Sequence, residues 1–422
     1  MDILNLKGGK PLIGEVEISG AKNSALKIII ASLFTNEDVY ISNVPRVKSL
    51  EKEIQILESL GSKVEWLSFN YLKINNSKLI SSKIPLELGK NLNTSFLFAG
   101  PLLYRFGEAT IPLPDTGTEN IERFIETWSS LNIEINFDSN FIYLRSDNSK
   151  AGRVEIARAS HTATDNAILS SIFLNGETTI INTSEEIEIK DLVNFCNSMG
   201  ASIEYENKRV LKIKGQRHFR GTEFNVVSDL TEIVFFTVAA LITNGNIIIK
   251  NIDKGSISFL ISFLNKIEAN FEFTNNSELR VWRKAGELNG FEVTATTYPG
   301  IISDYIPYFL ILALYSSGES KINDLTYRDK FDYVYQLNKY QAKIKIFEGN
   351  KDFEKCEIYI KGPVKLNCEK INIDSYSSGP ALFLAALGSD LDVDIINYSK
   401  LDFVFENLVE KVVKLGADVK HD

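Results

Sequence analysis

The sequence predicts a two-domain α/β protein, an inside-out α/β barrel in which sheets enclose apolar helices, with three β-α-β-β-α-β repeats in each domain. Three observations carry that expectation. The chain has 422 residues, more than the roughly 250 to 300 at which one hydrophobic core stops growing. Six apolar helix-like runs recur along it, and their stop positions lie 69 to 73 residues apart. β-rich segments follow these stops, so the period is that of one supersecondary unit repeated six times.

The helix-like runs are Lys22 to Phe34, Asn93 to Phe106, His161 to Leu174, Asp229 to Thr243, Asp304 to Ser317 and Ser375 to Leu387, with stops at Asn36, Gly107, Gly176, Gly245, Gly318 and Ser389. Gly suits such a stop because the residue after a helix commonly takes a left-handed conformation that costs Gly nothing. Strands read clearly as Val39 to Asn43, Thr178 to Asn182 and Ile247 to Asn251. A second helix and strand close each unit around Leu60-Gly61, Leu131-Asn132, Met199-Gly200, Ile267-Glu268, Tyr340-Gln341 and Leu415-Gly416. The first helices are apolar all round and belong inside, whereas the second ones, such as Glu51 to Leu60, carry charge on one side.

Three units then make each domain: residues 22–228, and residues 1–21 plus 229–422, with the seam near Phe219 to Ser228. The opening segment, Ile3 to Leu6 and Gly14 to Ser19, has no unit before it and is expected to complete the last unit's sheet. Two chain crossings between domains favour a hinged cleft, a preferred place for a ligand.

Composition excludes several classes. Apolar residues make up 44% and charged residues 24%, the balance of an ordinary globular chain rather than a disordered or fibrous one. The longest apolar stretches, Ile233 to Ile242 and Tyr305 to Tyr315, fall short of the roughly 20 residues that cross a bilayer. Met1 to Gly9 shows no secretory signal, so a cytoplasmic protein with no membrane partner is expected. Cys196, Cys356 and Cys368 lack CxxC spacing and read as buried reduced thiols, with no disulfide framework and no zinc site. A formal net charge of −9 disfavours nucleic acid as a partner, so any anionic ligand needs a local basic cluster.

Gly20-Ala21-Lys22-Asn23-Ser24-Ala25-Leu26, Gly100-Pro101-Leu102-Leu103, Ser303-Asp304 and Leu415-Gly416-Ala417, with the six-unit grammar, resemble the UDP-N-acetylglucosamine enolpyruvyl transferase family over essentially the whole chain. The sister shikimate-phosphate enolpyruvyl transferases share the architecture but match the Ala-Lys-Asn segment less well. The resemblance implies transfer of the enolpyruvyl group of phosphoenolpyruvate to a hydroxyl of a nucleotide sugar, UDP-N-acetylglucosamine, in cell-wall precursor synthesis. The reaction passes through a tetrahedral intermediate and uses neither metal nor organic cofactor. It needs a cationic clamp, a base for the sugar hydroxyl and an acid for the methylene carbon.

Lys22 matches the family lysine that contacts phosphoenolpyruvate, at a helix mouth where dipole and ammonium reinforce each other toward an anion. Asn23 either touches the sugar nucleotide or caps the helix. Asp304 falls on the family aspartate proposed as base, a position that also suits an N-cap; Asp229 has the same two readings, with capping favoured because Leu230 replaces a family arginine. In the segment Leu113 to Asn120, where many relatives carry a cysteine acid on a mobile lid, Asp115 is the candidate acid or else a turn residue. Ser160 and His161 complete the substrate-binding assignments, His161 standing against a nucleotide or as a satisfied structural histidine.

The clamp departs from the family. Where it carries arginines, whose planar fork binds phosphate and carboxylate bidentately, this chain has Asn93, Glu119 or Asn120, Tyr376 and Phe403, with Lys330 at another arginine position. Each lost charge-assisted contact costs about 1.5 to 3 kcal/mol. Lys90, Arg105, Arg123, Arg158 and Arg328 are the basic residues available to compensate. A lapsed homologue that keeps a ligand- or partner-binding cleft, and a transferase with an altered donor or acceptor, therefore stand as alternatives.

Overall fold

The computed structural model describes residues 2–90, 92–114, 121–283, 288–324, 332–348 and 356–421. The chain divides into two compact units, one formed by Gly20–Val227 and one, discontinuous, by Met1–Ser19 with Ser228–Asp422. In each, helices that are buried on nearly every side lie at the centre and four-stranded or three-stranded sheets carry the outer layer.

The third repeat shows the grammar in full: strand Arg153–Glu155, buried helix His161–Ser171, strand Glu177–Ile181, outer helix Ile187–Ser198, then the hairpin Ser202–Asn207 and Val210–Lys214. The two strands flanking the buried helix pair in parallel, as a helical crossover requires, and the hairpin strands pair antiparallel. The unit thus runs β-α-β-α-β-β, and the hairpin falls at its end rather than in the middle as β-α-β-β-α-β would place it. The cause is local: a two-residue turn, Lys208-Arg209, with Arg209 at φ 65°, splits what the sequence reads as one terminal strand.

Three of the five parallel junctions among the described residues are pinned by the same bond. Asn43, Asn182 and Asn251 follow the strand after a buried helix and adopt φ values of 57°, 61° and 60°. Their side-chain amides donate to the carbonyls of Val226, Ile156 and Ile18, each 2.8 Å away. Asn tolerates this left-handed conformation better than other non-Gly residues, and the bond fixes the strand that leads into a buried helix.

The opening segment divides its loyalties. Ile3–Lys7 does complete the last sheet, antiparallel to Asp392–Ile396 and Asp418–His421. Ile13–Glu17 goes elsewhere: it pairs in parallel with Asn246–Lys250, the strand that follows helix Leu230–Ile242. Reciprocally, Glu223–Asn225 pairs in parallel with Val39–Ser42, the strand that follows helix Lys22–Ala31. Each unit therefore closes with a strand that is remote in sequence from the helix it serves.

Helices Leu230–Ile242, Ile306–Leu314 and Gly379–Gly388 pack pairwise on one another, and all ten residues of the last are buried. The Phe235 ring sits among them, within 6.4 Å of the rings of Tyr308, Phe383 and Phe405. In the Gly20–Val227 unit, Ala99–Phe106 crosses His161–Ser171 at Gly100, where a Cβ would meet the Leu169 carbonyl oxygen at 2.2 Å; only glycine permits that approach. No helix among the described residues is long and apolar enough to cross a membrane. The three cysteines are buried free thiols.

Candidate active site

In the Gly20–Val227 unit the polar chemistry gathers at the N-termini of buried helices. Helix Lys22–Ala31 begins without a side-chain cap, because Ala21 occupies the cap position. Asn23, as the second helical residue, is therefore not the cap. Lys22 and Asn23 are both half-buried, and the Ser24 and Ala25 amides bond the Ala21 carbonyl at 3.1 and 2.9 Å, so the positive end of the helix dipole lies beside Lys22, an arrangement that favours an anion.

Deeper in the same helix, Lys27 is buried and pairs at 2.8 Å with Asp165 of helix His161–Ser171. Ser24 donates a short hydrogen bond to Asp191, whose carboxyl is pushed up to about 6 by burial despite the Ser24 hydroxyl, the Val227 amide and the Lys27 ammonium. Glu53, wholly enclosed, accepts a short bond from the Thr94 hydroxyl at the start of the 3-10 turn Asn93–Phe98. Burial pushes its carboxyl to about 8, so it is largely protonated at neutral pH.

Ser160 caps helix His161–Ser171, its hydroxyl accepting from the Ala163 amide at 3.5 Å and from Arg123 Nη1 at 3.3 Å. Of the basic residues considered for compensation, Arg123 thus joins Ser160. His161 is partly exposed, with Nδ1 3.9 Å from Asp165 Oδ2. Arg105 is committed elsewhere: its guanidinium donates to the carbonyls of Leu33, Thr35 and Asn76 and to Asn36, closing the C-terminal end of the first buried helix. Lys90 ends the short helix Leu86–Gly89.

In the discontinuous unit, Asp229 Oδ1 accepts from the amides of Thr231 and Glu232 at 2.8 and 3.2 Å and caps helix Leu230–Ile242. Asp304 behaves differently. It lies exposed within the 3-10 turn Ser303–Tyr305, and the cap positions of that turn and of helix Ile306–Leu314 are Ile302 and Tyr305, neither with a side-chain bond. Burial, then the charges of Asp229 and Asp304, push the Tyr308 hydroxyl upward. Tyr376 and Phe403 stack on each other at 4.6 Å between centroids, while Lys400 Nζ donates to the Asp374 carbonyl at 2.9 Å. Asp115, Glu119, Asn120, Arg328 and Lys330 lie outside the described residues.

A profile of the EPSP synthase (3-phosphoshikimate 1-carboxyvinyltransferase) family matches residues 6–420. The chain belongs to this family. Among curated proteins it is similar to the UDP-N-acetylglucosamine 1-carboxyvinyltransferase of Finegoldia magna, 31% identical over 425 residues with 100% of this chain and 99% of the relative covered. The enzyme of the same name from Pelagibacter ubique is 30% identical, with the same coverage. Among solved structures, the enolpyruvyl transferase NikO from Streptomyces tendae superposes with a TM-score of 0.89 at 20% identity, covering 100% of this chain and 98% of that one. EPSP synthase from Acinetobacter baumannii gives 0.77 at 14%, with full coverage of both. These structures share the fold of this family member.

Sequence reasoning passed over Lys27, Asp165, Asp191 and Glu53. A signal existed for Lys27, a lone charge in the run Ala25-Leu26-Lys27-Ile28-Ile29-Ile30, since a charge on an all-round apolar helix must find a buried partner. Nothing in the spacing names that partner.

Proposed function

We propose that this chain transfers the enolpyruvyl group of phosphoenolpyruvate to a hydroxyl of UDP-N-acetylglucosamine, a step of cell-wall precursor synthesis in the cytoplasm. The observation that carries the reading is full-length identity of 30 to 31% to enzymes bearing that activity in their names. Lys22, at the uncapped mouth of helix Lys22–Ala31, binds the donor phosphate, and Asn23 beside it meets the sugar nucleotide. Asp304, exposed in the turn Ser303–Tyr305, takes the proton as the acceptor oxygen attacks the donor's C2. Asp115 protonates the methylene carbon, and loss of phosphate with return of that proton restores the vinyl group. Lys330, Ser160 and His161 contribute binding.

A second reading, an altered donor or acceptor, is favoured by one observation. At two positions where the resemblance expects clamp arginines, Tyr376 and Phe403 stack on each other, and an aromatic pair offers an anion no charge-assisted bond. Incubation of the purified protein with both substrates and assay of released phosphate decides between the two. Turnover that Lys22→Ala abolishes, with the thermal melt unchanged, supports the first reading. Binding of the nucleotide sugar without phosphate release supports the second.

A further inference from the structure

The turn that carries Lys22 and Asn23 is held from both ends by one buried residue. Asp191, on helix Ile187–Ser198 and 3% exposed, uses its Oδ2 twice: it accepts from the Ser24 hydroxyl and from the Val227 amide at 3.3 Å. Val227 in turn accepts from the Ala21 amide through its carbonyl oxygen at 2.6 Å. The bonds form a closed circuit, Ala21 to Val227 to Asp191 to Ser24, with Lys22 and Asn23 as the two residues inside it. This helix start lacks a side-chain cap, and the circuit anchors it instead through the Ala21 amide before the first turn and the Ser24 hydroxyl within it.

We infer that Asp191 is the positioning residue that orients Lys22 and Asn23 toward the bound anion. The inference rests on the functional reading above, in which those two side chains meet substrate. Asp191 itself touches no reacting atom; its effect runs through Ser24 and Val227. Its closeness to the chain crossings adds to its leverage, since Gly20 and Val227 are the residues at which this unit begins and ends.

Three variants and two readouts test it in the full chain. Ser24→Ala removes one anchor with little change in volume; Asp191→Ala removes both; Asp191→Asn keeps an oxygen that accepts from both donors. The expected result for Ser24→Ala is a fall of ~10-fold in kcat/KM for phosphoenolpyruvate, the scale on which slight misplacement of a catalytic group acts. Faster amide exchange confined to residues 20–26 should accompany it, with the overall melt little changed, and Asp191→Asn should restore kcat/KM to within about threefold of wild type. Unaltered exchange in residues 20–26 of Ser24→Ala and Asp191→Ala, or turnover within about twofold of wild type in both, overturns the inference. If the wild-type chain neither binds nor turns over the substrates, the functional reading fails, and the exchange measurement alone then decides whether the circuit holds the turn.

Discussion

Lys27 and Asp165 illustrate how much one pair of side chains carries. Their side chains are 5% and 0% exposed, so neither charge is hydrated and each is tolerable only because of the other. Removing one partner strands the second: Lys27→Met is expected to cost about 3 to 5 kcal/mol in urea unfolding, and Lys27→Met with Asp165→Leu to recover most of it. Glu53 makes a different prediction, in pH. Its carboxyl stands at about 8 in the fold against an ordinary 4.5, so the folded chain keeps a proton that the unfolded chain releases. Stability from this group is greatest below the ordinary value, falls as pH rises toward about 8 and levels off beyond. The slope is at most about 1.4 kcal/mol per pH unit. Glu53→Gln should gain on wild type across that window in paired urea titrations; a constant difference would refute the assignment. Lys22 and Asp304 stand out in the sequence as candidates because they sit in short matching motifs, whereas Asp191 and Glu53 lie on outer helices whose sequence reads as solvated.

At the level of elements, one backbone position repeats through all six units. Gly61, Asn132, Gly200, Glu268, Gln341 and Gly416 each end an outer helix with positive φ, between 52° and 104°. The sequence exposes this regularity as the residue after Leu60, Leu131, Met199, Ile267, Tyr340 and Leu415, but only three of the six are glycine. Glu268, at φ 54°, carries a steric cost of about 1 to 2 kcal/mol that glycine escapes, less glycine's own loss of backbone freedom. Glu268→Gly should therefore stabilise the chain by about 0.5 to 1 kcal/mol in urea unfolding. The helix stops are less uniform than their spacing suggests: Gly107, Gly176 and Gly318 are left-handed, whereas at the fourth stop Asn244 at φ 53° takes that role one residue ahead of Gly245. Periodicity located the elements because burial imposes it; it could not divide a terminal hairpin, whose existence rests on a two-residue turn.

For the molecule as a whole, the informative feature is how strands are shared out. Period and composition predicted six units and two domains, yet no pattern in Ile13–Glu17 says that its partner is Asn246–Lys250, because parallel pairing is decided by a crossover more than two hundred residues long. Pairing makes a prediction that spacing could not. His421 lies opposite Leu4 in the last sheet, so the two chain ends of the discontinuous unit are neighbours. A rearranged chain running from residue 228 to 422, then through a short Gly-Ser linker into residues 1–19, should fold and unfold cooperatively by circular dichroism. Residues 228–422 alone should not, since two sheets would each lack a strand.

The same strand sharing sets a timetable for synthesis. Every strand of the Gly20–Val227 unit has been made by Asn225, so that unit can fold while the ribosome is only halfway along the message. Ile3–Lys7 emerges before all of them, yet its partners Asp392–Ile396 and Asp418–His421 come last. At ~5–20 residues per second the wait is on the order of 20 to 80 seconds. During that interval an unpaired β-strand is a hazard for aggregation, and its composition limits the danger. Leu4 and Leu6 are buried in the finished fold, while the Lys7 between partners faces water, so the nascent strand offers other chains a sticky face only two leucines long.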